Sequence, residues 1–227
     1  MKQLLREVCS ANRDLETHRL VTGTWGNVSG FDRRRGIVVI KPSGVAYRDL
    51  RPELMVAVDL AGRVVQGALR PSTDLATHLA LYQAFAAIGG VTHTHSTYAT
   101  MFAQACQAIP CLGTTHADYF HGPVPVTRAL TRAEVARDYE RNTGAVIVAR
   151  FARLSPQALP GVLVAHHGPF TWGKTAADAV KNSVVLESVA HMALMSVQLA
   201  PKLPQMDEVL LDRHFCRKHG PAAYYGQ

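Results

Sequence analysis

At 227 residues and 24.7 kDa the chain has the length of one domain with a sizeable core, and its 48% hydrophobic and 18% charged residues exclude both disorder and a fibrous repeat. No apolar stretch reaches the roughly 18 residues of a membrane-spanning helix, and the charged N-terminus carries no leader pattern. The formal charge of +7 fits an anionic partner, but the one dense basic cluster, Arg33-Arg34-Arg35, sits between two apolar runs without interleaved aromatics, so it reads as a hairpin turn and neither nucleic acid nor membrane is expected.

Leu4, Leu5, Val8, Cys9, Asn12 and Leu15 recur at helical spacing, which predicts an opening helix that ends before His18. Residues 25–30 and 36–44 read as two antiparallel strands around the arginine turn, and residues 55–59 and 63–67 as a second hairpin. Ser72 or Thr73 can cap a helix over residues 74–87, with Leu75, Leu79, Tyr82 and Ala86 inward. A strand carrying His93-Thr94-His95 follows, then a helix near residues 98–107 and a loop over 110–125. Thr131 and Glu134 form a capping-box pattern for a short helix; residues 144–149 and 161–166 read as strands, and residues 176–199 as a long helix stopped by Pro201. This order implies one layered α/β domain, residues 1–227, around a largely antiparallel or mixed sheet. Cys9, Cys106, Cys111 and Cys216 are scattered without a Cys-x-x-Cys pair, which fits reduced thiols and a cytoplasmic location.

His93 and His95, at i and i+2 on a strand, share a face; with Asp74 and either His166 or His167 they offer imidazole and carboxylate donors to one divalent ion. Taken alone, a His-x-His pair also serves as ordinary core histidines, and the pattern does not choose between His166 and His167. Three imidazoles and a carboxylate suit zinc, with manganese, cobalt or nickel as alternatives. Gly26-Asn27, Ser43-Gly44 and Ser72-Thr73 sit at element edges, where turn and cap chemistry explains them, yet free amides and hydroxyls there also suit a phosphate, with Lys41 adding a charged donor. No phosphate-loop or dinucleotide glycine motif is present. Asp118 lies among aromatics in a long loop, suited to a general acid or base or to a simple turn; Tyr225 lies near the C-terminus and can act on protons only if that tail docks.

Thr24-Trp25-Gly26-Asn27-Val28-Ser29, Ile40-Lys41-Pro42-Ser43-Gly44-Val45, Asp74 with Thr77-His78, Gly89-Gly90-Val91-Thr92-His93-Thr94-His95-Ser96, Gly113 through Phe120, His167-Gly168-Pro169-Phe170-Thr171-Trp172-Gly173-Lys174 and Arg217-Lys218-His219-Gly220 leading to Tyr224-Tyr225-Gly226-Gln227 together resemble the class II aldolase and epimerase family, most closely its pentulose-phosphate 4-epimerases. The resemblance implies a three-layer α/β/α fold with a largely antiparallel central sheet. It implies one divalent ion per subunit on His93, His95 and His167, with Asp74 as ligand or close neighbour and His166 outside the ligand set. It further implies substrate contacts from Gly26, Asn27, Lys41, Ser43, Gly44, Ser72 and Thr73. Asp118 and Tyr225 become the proton-transfer pair, reaching the site from a neighbouring subunit of a homotetramer. The implied activity is epimerisation of a ketose phosphate by metal-assisted cleavage and re-addition at C3–C4. An aldolase on a phosphorylated deoxy-sugar and a non-catalytic interaction domain of the same fold are the alternatives. Two departures stand out: Thr73 replaces a serine, and Ala165-His166 replaces a His-Ser pair.

Overall fold

The computed structural model describes residues 1–221, 223 and 224. Helix α1 (Lys2–Thr17) buries Leu5, Val8, Asn12 and Leu15 on one face, as their spacing requires. Asn12, the polar member of that face, donates to the Val8 and Val28 carbonyls and accepts from the Val28 N–H at 2.8 Å. These bonds pin the helix to strand β1 (Asn27–Asp32). The arginine turn leads into β2 (Ile37–Ile40): Asp32 accepts from the Arg34 and Arg35 N–H groups, and Gly36 supplies φ +66°. Arg33 leaves the turn and donates through Nη2 to the carbonyls of Tyr82, Phe85 and Ile88. The basic cluster is therefore a structural turn, as its pattern suggested. A second hairpin joins β3 (Val56–Asp59) to β4 (Val64–Gln66).

The chain continues through α2 (Leu75–Ala84), β5 (Gly90–His93), α3 (Thr97–Gln104), α4 (Thr114–Ala117), α5 (Arg132–Arg137), α6 (Tyr139–Arg150), β6 (Gly161–Leu163), β7 (Pro169–Gly173), α7 (Ala176–Leu199) and α8 (Glu208–His219). The seven strands form one sheet in the order β4-β3-β2-β1-β5-β7-β6, each neighbouring pair antiparallel. Side chains alternate across it. Ser29 points toward α2, whereas the next residue, Gly30, meets α1 and α7: a Cβ there would lie 2.7 Å from Val8 Cγ2 and 3.7 Å from Ala176 Cβ. Helices on both faces give three layers. Phe85, Phe151 and Trp172, with ring centroids 5.0–5.5 Å apart, fill the core between sheet and helices on the α2 side.

Several elements differ from the sequence reading. Residues 144–149 are not a strand but the middle of α6. A short β-branched run does not separate strand from buried helix, and here the small Gly144 lets α6 press on α2, where a Cβ would come 2.6 Å from Ala80 Cβ. Strand β6 ends at Leu163, so His166 and His167 lie in the turn to β7, a strand the sequence reading left out. Strand β5 likewise stops at His93, leaving His95 beyond it. Helix α2 ends at Ala84 and Ala86 is exposed; its N-cap is Asp74, without a side-chain cap, while Ser72 Oγ accepts from the Asp74 N–H at 3.4 Å. Helix α4 interrupts the expected 110–125 loop, and α8 was not expected. The long α7 spans the expected residues, with a capping box between Thr175 and Asp178.

Candidate metal centre

Antiparallel register assembles the site at one end of the sheet. Asn27 of β1 pairs with His93 of β5, and His93 pairs with Phe170 of β7. These side chains occupy one rung and one face. The His93 ring stacks on Phe170 at 4.2 Å, and its Nδ1 donates to the Pro169 carbonyl at 2.9 Å. A carbonyl only accepts, so His93 carries its proton on Nδ1 and presents the Nε2 lone pair. His95 Nε2 lies 3.1 Å from that atom, and His167 closes the triangle with ring centroids 4.7 Å from His93 and 5.1 Å from His95. The ligand atoms of the three lie within 4.8 Å of one another. Tyr139 Oη meets His167 Nδ1 at 3.0 Å and orients that ring from α6.

Burial, followed by the neighbouring His93 and His95, lowers His167 to about 3, and burial with His93 lowers His95. At neutral pH these two rings are neutral, the form that coordinates a cation. Three converging ring nitrogens with a carbonyl behind one ring and a phenol behind another fit a borderline ion such as zinc. His166 is turned away: at φ +62° it is exposed and meets Cys106 Sγ at 3.4 Å.

Asp74 is adjacent to the triad but not within that group of three. Its Oδ2 accepts from Asn27 Nδ2 at 2.6 Å. Burial raises its pKa, but the fields of His93 and His78, the Asn27 bond and His167 outweigh that and leave the carboxyl below its ordinary value. Asp74 and the triad open into a cavity of about 530 Å³, which the substrate-binding residues expected from the sequence also line: Gly26, Asn27, Lys41, Ser43, Gly44, Ser72 and Thr73. Gly26 is required where it stands, since at φ +79° a Cβ would sit 2.8 Å from the His93 carbonyl. Lys41 is only 2% exposed, its ammonium 3.4 Å from the Pro42 carbonyl and 5.0 Å above the Tyr47 ring. Neither neighbour carries charge, and burial lowers Lys41 from 10.5 to about 8. A buried ammonium of this kind favours an anion. Trp25, Tyr139 and Glu140 also line the cavity and were not expected; the last two begin α6, the element read as a strand farther along.

Asp118 is not among the cavity residues of its own protomer. Its carboxylate accepts from Arg217 Nε at 3.0 Å and Nη2 at 2.8 Å and from His214 Nδ1 at 3.0 Å, with Lys218 Nζ at 3.7 Å. Burial raises its pKa; the Arg217 and His214 hydrogen bonds and the nearby cations outweigh that and hold it below the ordinary value. These α8 partners lie about a hundred positions downstream; the segment Arg217-Lys218-His219-Gly220 carried part of the family resemblance, but nothing in it tied those residues to Asp118. Tyr225, the other expected proton carrier, lies outside the described residues.

The Class II Aldolase and Adducin N-terminal domain model matches residues 6–194. Over 227 residues, the full length of both chains, the protein is 57% identical to L-ribulose-5-phosphate 4-epimerase UlaF from Salmonella paratyphi B (strain ATCC BAA-1250 / SPB7) and to the protein of that name from Salmonella typhi. Among solved structures, an L-fuculose 1-phosphate aldolase superposes with a TM-score of 0.79 at 24% identity, covering 93% of this chain and 94% of the other. The L-fuculose 1-phosphate aldolase from Glaciozyma antarctica PI12 gives 0.77 at 19%, covering 99% and 85%. At these identities the superpositions establish the fold.

Proposed function

Because the chain belongs to the class II aldolase and adducin family, we propose that it is an L-ribulose-5-phosphate 4-epimerase, interconverting L-ribulose 5-phosphate and D-xylulose 5-phosphate by opening and reclosing the C3–C4 bond. The observation that carries this reading is the single cavity that joins three converging imidazoles to a buried ammonium and a set of hydroxyl and glycine loops. Full-length likeness to curated epimerases favours reclosure over release of the fragments.

His93, His95 and His167 hold one divalent ion, for which zinc is our assignment ahead of manganese, cobalt and nickel. Bound there, the ion supplies Lewis acidity to the ketose oxygens on which negative charge develops as the carbon–carbon bond opens. Lys41, with Ser43, Gly44, Ser72 and Thr73, clamps the phosphate; this clamp keeps the aldehyde half in place while its carbonyl turns to present the other face. Asn27 donates to Asp74 and holds its carboxylate beside the triad. Asp118 and Tyr225 serve as the acid–base pair that removes and returns the C4 hydroxyl proton on opposite faces. In the protomer Asp118 lies away from the cavity, so this role needs a neighbouring copy. We therefore assign a homotetramer with sites at subunit interfaces, in the cytoplasm where a phosphorylated sugar is retained.

The test is a product assay on L-ribulose 5-phosphate with the metal-loaded protein. D-xylulose 5-phosphate is expected as the main product. Free dihydroxyacetone and glycolaldehyde phosphate accumulating faster than D-xylulose 5-phosphate would instead make the protein an aldolase and overturn the reading.

A further inference from the structure

Strand β1 and helix α2 meet along a polar seam in which strand positions two apart match helix positions four apart. Asn27 binds Asp74, and Ser29 binds His78 and Tyr82, with Ser29 Oγ 2.7 Å from His78 Nδ1 and 2.8 Å from Tyr82 Oη. Asn27, Ser29 and His78 are all 2% exposed or less. Tyr82 is 1% exposed and burial keeps its phenol protonated; the hydrogen-bond partner of its Oη is Ser29 Oγ, so the buried O–H donates there. Ser29 Oγ–H then donates to His78 Nδ1. That assignment leaves the His78 proton on Nε2.

Two buried polar atoms at this seam have no partner among the described residues: His78 Nε2 and Asn27 Oδ1. With the relay running in this direction, one is a donor and the other an acceptor, and both belong to residues that face Asp74. Asn27 touches its carboxylate directly, and His78 lies one helical turn away along α2. A buried donor left without a partner is costly, as is a buried acceptor, and one water satisfies both.

We propose that His78 is a positioning residue for Asp74: a fixed N–H donor, aimed by the Tyr82–Ser29 relay, that fastens the side chain of Asn27, and with it Asp74, through one internal water between His78 Nε2 and Asn27 Oδ1. The proposal rests on the epimerase reading for its kinetic consequence but not for its structural one. His78 touches neither substrate nor ion; it keeps Asp74 and Asn27 from turning as the substrate fragments move.

Three variants and one structure test it. His78→Asn keeps an acceptor for Ser29 but removes the Nε2 donor, and Ser29→Ala breaks the relay with less disturbance to packing. Each is expected to lower kcat about 10- to 100-fold, the usual range for an outer-shell partner, with KM within about twofold of wild type and full metal content. His78→Gln, which returns an amide N–H near the Nε2 position, is expected to recover most of kcat. An unchanged kcat in both His78→Asn and Ser29→Ala, equal impairment of His78→Gln and His78→Asn, or metal loss in step with activity would each overturn the proposal. A crystal structure of the wild-type full chain at a resolution that shows ordered water is expected to place one water in hydrogen-bond contact with both atoms. Its absence there would overturn the bridge. If wild type does not epimerise L-ribulose 5-phosphate, the functional reading fails, whereas the crystal structure still decides the role of His78 at the seam.

Discussion

Replacing Lys41 with Met should make the empty protein more stable and the enzyme worse. The ammonium is 2% exposed, and burial lowers its pKa from 10.5 to about 8 without a carboxylate to compensate. Because the folded value lies below the unfolded one, the unfolded chain holds the extra proton between those two values. Stability therefore rises with pH across that window, and below about pH 8 the fold bears the whole cost. The drop from 10.5 to about 8, at about 1.4 kcal/mol per pH unit, sets that cost near 3.5 kcal/mol at neutral pH. Met keeps the unbranched stem and removes the charge, so Lys41→Met is expected to raise Tm by several degrees in phosphate-free buffer at pH 7 and by little above pH 10. Substrate binding should move the other way. A charged hydrogen bond to phosphate contributes about 1.5–3 kcal/mol, so kcat/KM should fall roughly 10- to 150-fold. Inorganic phosphate should raise the Tm of wild type but not of the variant. Differential scanning fluorimetry across pH, with steady-state kinetics on L-ribulose 5-phosphate, reads both effects. A Tm unchanged or lowered at pH 7, together with kcat/KM within twofold of wild type, would refute the picture of an uncompensated ammonium awaiting an anion.

Other perturbations give outcomes of distinct kinds. His95→Asn should leave the fold intact by circular dichroism while elemental analysis finds the purified chain nearly free of metal; normal metal content would defeat the three-imidazole assignment. Asp118→Asn strands Arg217, Lys218 and His214 around an uncharged amide and should destabilise the chain by about 2–3 kcal/mol. Since the folded Asp118 pKa is depressed, that wild-type contribution is present above the ordinary carboxylate range and lost as pH falls through the folded value, so the two proteins should converge in Tm at strongly acid pH. Tyr225→Phe should reduce turnover at unchanged metal content, which a kinetic assay beside metal analysis reads directly. Gly144→Ala adds about 1 kcal/mol of helix propensity but puts a Cβ 2.6 Å from Ala80 Cβ; the clash should win, giving a lower denaturation midpoint in urea.

The residues that bear the chemistry were easier to read than the elements that present them. The His93/His95 pair, the phosphate loops and Asp74 all carried local signatures, and the structure gathers them on one cavity. The hairpins and α7 also followed from period and caps. Helix α6 did not, because Val146, Ile147 and Val148 favour a strand locally while Gly144 favours a helix only through α2, more than sixty positions earlier. Strand β7 is a five-residue run whose pairing with β5 spans about eighty positions, and nothing within it states that partner. The surroundings of Asp118 belong to the same class: an acid in a loop is ambiguous until α8 folds back on it with Arg217 and His214. Local pattern left His166 and His167 open and the family resemblance chose His167; the turn, with His166 at φ +62°, sends the His166 ring outward.

The Arg33 guanidinium, spanning three carbonyls where α2 ends, makes a surface turn part of the machinery at the opposite end of the sheet. Asp74 begins that helix, so its height above the metal ligands is set from both ends of α2, by Asn27 near the cavity and by Arg33 at the far hairpin. An exposed turn of this kind ordinarily invites a tag, a label or an inserted peptide. In this protein the residues beside Arg33 are poor ground for such engineering, because a displaced turn would carry the end of α2 with it.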